Sequence, residues 1–171
     1  MKYLFVFLLV GLMLSCGGGV EKKATVSAEI MKKNNSQPNC KDLEGLQPVH
    51  PDSIPESYTG VVFYCQEGKV TLLENYKDGK EDGLWRAWHE NGQLWQVFNL
   101  KDGEFDGLWR AWHENGQLNS ETNYKDGKED GLCRYWHENG QLSSEANYKD
   151  GKLIDEKCWY EDGTLNATGC F

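Results

Sequence analysis

Three histidines, His89, His113 and His137, stand 24 residues apart in this chain, and imidazoles at a fixed period raise the question of a metal. Zinc needs its ligand nitrogens within ~2.0–2.1 Å of one ion. If the period is that of paired strands, equivalent residues sit two strands apart, about 9.5 Å between backbones. No cysteine or carboxylate motif completes a ligand set, so the histidines read as polar residues flanking turns, and no metal or cofactor is expected. The run Asp78-Gly79-Lys80-Glu81-Asp82-Gly83 lacks the regular ligand spacing and terminal Glu of a calcium loop and reads as a turn. Catalysis requires unlike groups converging in one concave place. Here the polar residues recur identically from unit to unit, as in a scaffold, and no enzyme is expected. The candidate binding residues are Trp88, Trp112 and Trp136, again at a period of 24, with Arg110 and Arg134 beside them. Repeated aromatics are usually structural; exposed as a stripe, they suit an extended peptide or a glycan.

The elements that must position these residues are set by the same repetition. Lys-Asp-Gly begins at Lys77, Lys101, Lys125 and Lys149. Between these marks, Gly83-Leu84-Trp85-Arg86-Ala87-Trp88-His89-Glu90-Asn91-Gly92-Gln93-Leu94 returns as residues 107–118 and, with Cys133 and Tyr135 substituted, as 131–142. Degenerate copies precede and follow, making about five units, and such a period signals a repeat array. Asn91-Gly92, Asn115-Gly116, Asn139-Gly140 and Asp162-Gly163 accept positive φ at both centres of a type I′ turn, so each unit is predicted to be a β-hairpin. The expected fold is all-β: an elongated single-layer antiparallel sheet of five tandem hairpins. Ten strands at a spacing of ~4.8 Å give a ribbon roughly 45 Å long.

Centring each turn on its Asn-Gly fixes a register. It places Arg110 opposite Glu121 and Arg134 opposite Glu145, and in the first full copy it sets Arg86 against Val97 and Trp88 against Trp95. Two opposite-charge pairs emerging from an assumed register support it, since each stabilises by roughly 0.2–1 kcal/mol. One face then carries Trp109, Ala111, His113, Leu118, Ser120, Thr122 and Tyr124, an alternation of large and small. The other carries Leu108, Arg110, Trp112, Asn119, Glu121 and Asn123, with the three candidate tryptophans forming a ladder.

The text Gly-Leu-Trp-x-x-Trp-x-Glu-Asn-Gly-Gln-Leu resembles the bacterial variant of the MORN repeat (membrane occupation and recognition nexus), across residues 58–171. The resemblance implies stacked antiparallel hairpins in a slightly curved sheet and brings no catalytic residues. Many bacterial members are antitoxin- or immunity-like, and eukaryotic relatives are linked to membranes and scaffolding.

The N-terminus reads as an export signal. After Lys2, an apolar run over Tyr3–Leu14 is too short for a helix spanning a ~30 Å bilayer core, which needs ~20 residues. Met13-Leu14-Ser15-Cys16 resembles a bacterial lipobox, whose Cys is diacylated and becomes the mature N-terminus. This divides the chain into a signal peptide (1–15), lipidated Cys16 with a flexible tether (16–39), a lead-in segment (40–57) and the repeat array (58–171). The 23 residues after Cys16 would reach roughly 25 Å as flexible chain. Export permits disulfides. Five cysteines besides Cys16 leave at least one unpaired, and Cys40 with Cys65 is the first pairing to expect, pinning the lead-in segment to the first hairpin. The simple register sets Cys158 and Cys170 on opposite faces, and a bulge near the C-terminus would be needed to bring them together.

Charge follows the same division. Residues 17–41 hold five Lys and two Glu, whereas residues 42–171 hold twelve Lys plus Arg and twenty-five Asp plus Glu, a net of −13. Such an acidic module repels nucleic acid and anionic headgroups and attracts basic surfaces. The expected protein is a non-catalytic, lipid-anchored component of the bacterial cell envelope, at the outer membrane or cell surface. Its membrane contact runs through Cys16 alone and its array binds a protein, with an immunity or antitoxin-type role implied by the resemblance. A structural envelope spacer and a glycan binder acting through the Trp-bearing face are the alternatives.

Overall fold

The computed structural model describes residues 36–43 and 54–170. The signal segment, Cys16, most of the tether and the middle of the lead-in segment lie outside the described residues. A 3-10 turn at Cys40–Leu43 precedes eleven strands: β1 (Gly60–Gln66), β2 (Lys69–Lys77), β3 (Lys80–Glu81), β4 (Gly83–Trp88), β5 (Leu94–Lys101), β6 (Glu104–Phe105), β7 (Gly107–Trp112), β8 (Leu118–Lys125), β9 (Lys128–Trp136), β10 (Leu142–Lys149) and β11 (Lys152–Cys158). They form one antiparallel sheet in the order β1-β2-β4-β5-β7-β8-β9-β10-β11, with β3 and β6 as short additions pairing β2 and β5. No helix among the described residues is long and apolar enough to cross a membrane.

The type I′ turns do not fall at Asn-Gly, where the sequence placed them. At Lys-Asp-Gly-Lys both central residues have positive φ, as at Asp78 (50°) and Gly79 (76°), so these tight turns are the type I′ ones. At the Asn-Gly sites only the glycine does, with Gly92 at 87° and Gly116 at 83°. Gly92 N–H donates to His89 O and His89 N–H to Gln93 O, both at 2.9 Å, which closes a three-residue loop: a type I turn followed by a left-handed glycine. Asn91 serves the loop with its side chain instead, accepting from Gln93 N–H at 2.9 Å.

The extra loop residue shifts the pairing by one, and a bulge in the following strand shifts it back. Trp112 therefore opposes Leu118, while Arg110 opposes Glu121. In the copy before, Trp88 opposes Leu94 rather than Trp95, and Arg86 opposes Val97. Trp95 is the bulge residue and has no cross-strand partner. The inner register thus matches the one centred on Asn-Gly, and the outer part does not.

The fifth hairpin is incomplete. Its loop forms, with Gly163 N–H donating to Tyr160 O, but beyond it only a single bridge, Trp159 with Leu165, continues the ladder. The chain instead turns at Asn166, whose N–H donates to Cys158 O, and Cys158 and Cys170 join as a disulfide. That turn at Asn166, which takes the chain out of the regular hairpin, brings together two cysteines that simple strand alternation sets on opposite faces.

The opposite end is capped. Asn39 bridges Lys69, Cys40 N–H donates to Gly68 O, and Cys40 and Cys65 are joined by a disulfide. Leu43, 1% exposed, packs with Val61, Phe63, Val70, Leu73, Trp88 and Leu94 into the one sizeable apolar cluster of the described residues. An array of stacked units needs such a cover where the neighbour is missing.

Candidate binding surface

Repeat stacking is written along the turn edge. The Nε2 atoms of His89, His113 and His137 lie 2.9, 2.9 and 3.0 Å from the backbone oxygens of Trp112, Trp136 and Trp159. A carbonyl only accepts, so each imidazole donates there. The Nδ2 groups of Asn91, Asn115 and Asn139 donate to the carbonyls of Glu114, Glu138 and Glu161 at 2.7, 2.8 and 2.8 Å. Each hairpin loop thereby grips the next, and the histidine period is that of a clasp between units. Asn119 Nδ2 approaches His113 Nδ1 at 3.3 Å and helps to hold that ring.

One sheet face is tightly packed around Ala87, Ala111, Thr122, Cys133 and Ala146, all buried. Along it runs a chain of ring contacts from Tyr76 through Trp85, Phe98 and Phe105 to Tyr124, with centroids 6.4, 5.4, 5.1 and 5.0 Å apart. Glu74 is buried at the head of this run and accepts from Tyr76 Oη at 3.1 Å. Burial, with Glu81 nearby, pushes its carboxyl above the usual range despite the opposing effect of that hydrogen bond. Burial and the adjacent Glu74 carboxylate push the Tyr76 phenol up as well.

On the other face, cross-strand neighbours follow one another as Val97, Arg110, Glu121, Arg134, Glu145 and Lys157. Arg110 Nε is 2.7 Å from Glu121 and Arg134 Nε 2.8 Å from Glu145. Both arginines are thus engaged within the sheet while keeping more than a third of their surface exposed. The tryptophan ladder does not form one exposed stripe. Trp88 is 6% exposed inside the capped cluster, because the lead-in segment covers that end of the face. Trp112 packs partly against the same cluster, and Trp112 and Trp136 are half-buried.

Among the described residues one grouping, Glu156 with Cys158 and Cys170, brings three metal-ligand atoms together, and its two sulfurs are bonded to each other. Cys133 is a buried free thiol, 3.0 Å from Thr122 Oγ1. Sequence reasoning missed the clasp and the special position of Trp95. The first was signalled by His and Asn recurring beside every loop, the second by Trp95 standing where the other copies have Asn119 and Ser143.

Residues 81–102, 105–126 and 129–150 each match the MORN repeat variant. The chain is thus similar to this family over three consecutive units within residues 81–150. Each match runs from the strand pair start to the next Lys-Asp-Gly turn, so a repeat ends where the type I′ turn hands the chain on. The first hairpin and β11 lie outside the three matches. A comparison with curated proteins finds no match.

Proposed function

We propose that this MORN-repeat chain is a non-catalytic lipoprotein of the bacterial cell envelope, anchored through Cys16, whose array binds a basic protein as an antitoxin- or immunity-type factor. The observation that carries the protein-binding reading is the unequal covering of the sheet. Its first hairpins are closed by the lead-in segment, whereas from β7 onward Leu108, Trp112, Leu118, Leu132, Trp136 and Leu142 are half-buried, with no second layer over them among the described residues. A sheet face with partly exposed aromatic and aliphatic groups, framed by ionic residues, has the make-up of a protein interface. The net charge of −13 over residues 42–171 favours a basic partner and raises its encounter rate.

The test is affinity purification of the full chain from its own cells after crosslinking. Enrichment of one basic protein, weakened by salt, supports the reading, as does lethality of deletion only when that protein is present. Recovery of no basic protein refutes it. The anchor is tested separately: Cys16→Ala should abolish incorporation of a palmitate analogue and release the chain from the membrane fraction.

A further inference from the structure

One of the positions at which the copies differ falls at a cavity. The bulge that follows each loop leaves a single residue out of the hairpin's own register: Trp95, Asn119 and Ser143 in successive copies. Bulges re-aim the side chain they carry. In the second of these copies Asn119 uses the position to steady His113. Trp95 gives up that hydrogen bond, lies with its ring 6.1 Å from His89, and remains 47% exposed. A polar residue fills the structural need there, and the indole instead offers an exposed aromatic face.

Beside it opens a cavity of about 480 Å³ lined by Trp95, His89, Trp112, Asn119, Glu114 and Glu138 among others, within the ~300–1,000 Å³ usual for binding pockets. Its backbone groups are already engaged: Trp112 O with His89, and Glu138 O with Asn115. The carboxylates of Glu114 and Glu138 are different. Both residues are exposed, neither carboxylate has an ion pair or hydrogen bond among the described residues, and no Lys or Arg lines the cavity. An aromatic face with two uncompensated anions is complementary to a cation. A planar guanidinium suits it better than an ammonium, because it stacks flat on an indole while its fork of N–H donors addresses carboxylates.

We propose that this cavity receives an arginine side chain of a protein partner, its guanidinium stacked on Trp95 and its N–H groups directed at Glu114, the nearer carboxylate, while Glu138 adds to the negative field of the cavity. The proposal rests on the protein-binding reading above and names the contact that reading lacks. The pocket's open rim suits a side chain projecting from a protein surface.

The test is an NMR titration of the full chain with N-acetyl-arginine amide, following the Trp indole N–H signals, with Trp95→Ala to assign the one that matters. The Trp95 signal should move at millimolar arginine amide, less with the lysine analogue, and not with the glutamine analogue. A tri-arginine peptide should bind about 5- to 30-fold more weakly to Trp95→Ala than to wild type. Glu114→Gln/Glu138→Gln, an exposed change that keeps the fold, should weaken it comparably and flatten its salt dependence. An unmoved Trp95 signal overturns the proposal, as does a larger response to N-acetylglucosamine than to arginine amide. The two readings fail separately. If Trp95→Ala still captures from cells the partner that wild type captures, the pocket is wrong and the protein-binding role stands. If wild type captures no protein while arginine amide still moves Trp95, the cation site stands and the partner is wrong.

Discussion

Removing the Cys40–Cys65 disulfide by double substitution to Ser should be the most damaging single change to the array's stability. The bridge closes a loop with a sequence separation of 25, for which the loss of unfolded-chain entropy corresponds to about 3.5 kcal/mol. The same estimate for Cys158–Cys170, with a separation of 12, is about 2.8 kcal/mol. The gap widens for a structural reason. Cys40 anchors the turn that seats Leu43 among Val61, Phe63, Val70, Leu73, Trp88 and Leu94, and freeing that turn exposes apolar surface at ~25 cal/mol per Å². Cys158–Cys170 holds a tail in which Tyr160 and Leu165 are already exposed, so little burial is lost with it. Urea unfolding measures the two costs, and hydrogen exchange locates them. In a stacked array each unit contacts only its neighbours, so faster exchange after Cys40→Ser/Cys65→Ser should concentrate in β1 and β2 and leave β9 and β10 near wild type. Equal or greater destabilisation by Cys158→Ser/Cys170→Ser, or acceleration spread evenly along the sheet, would refute the capping argument.

Three further outcomes follow from single sites. Glu74 has a raised carboxyl pKa in the fold, so its contribution is favourable when protonated and is lost as pH rises through the folded value. Glu74→Gln should therefore stabilise the chain at pH 7–8 and change little at acid pH, read as denaturation midpoints across that range; a midpoint lowered at neutral pH would contradict the assignment. Glu121 sits between Arg110 and Arg134, and Glu121→Lys would line up three cations, costing about 1–2 kcal/mol at low salt from the lost Arg110 pair and the repulsion from both arginines. That cost should shrink in high salt, and a salt-independent loss would point to packing instead. Cys133, 2% exposed, should react with a thiol reagent only on unfolding, and rapid labelling of the native chain would show that β8 and β9 open easily.

The hairpins, their period and the two Arg–Glu pairs were legible because glycine-centred turns and side-chain alternation are local properties that the repeat states several times over. The turn types were not, since Asn-Gly fits both a two-residue I′ turn and the left-handed end of a three-residue loop. What decides between them is the longer-range bond from Asn91 to Glu114 O, which engages the Asn side chain in the next unit. The same loop length makes a bulge residue of Trp95 and hides it from any strict alternation. Burial of Trp88 was equally invisible, because the covering residue, Leu43, comes from outside the repeat and has no period to announce it. The Cys158–Cys170 bridge depended on the last unit failing to complete its second strand, a departure that begins only after Leu165.

The central claim, that the uncovered part of the array carries a protein partner, is tested most directly by site-specific photo-crosslinking in living cells. A crosslinking residue at Arg110, exposed on the open stretch of sheet, should trap a basic protein, whereas one at Thr59, exposed beside the capped hairpin, should not. A crosslink from Thr59 alone, or from neither position, would contradict the account.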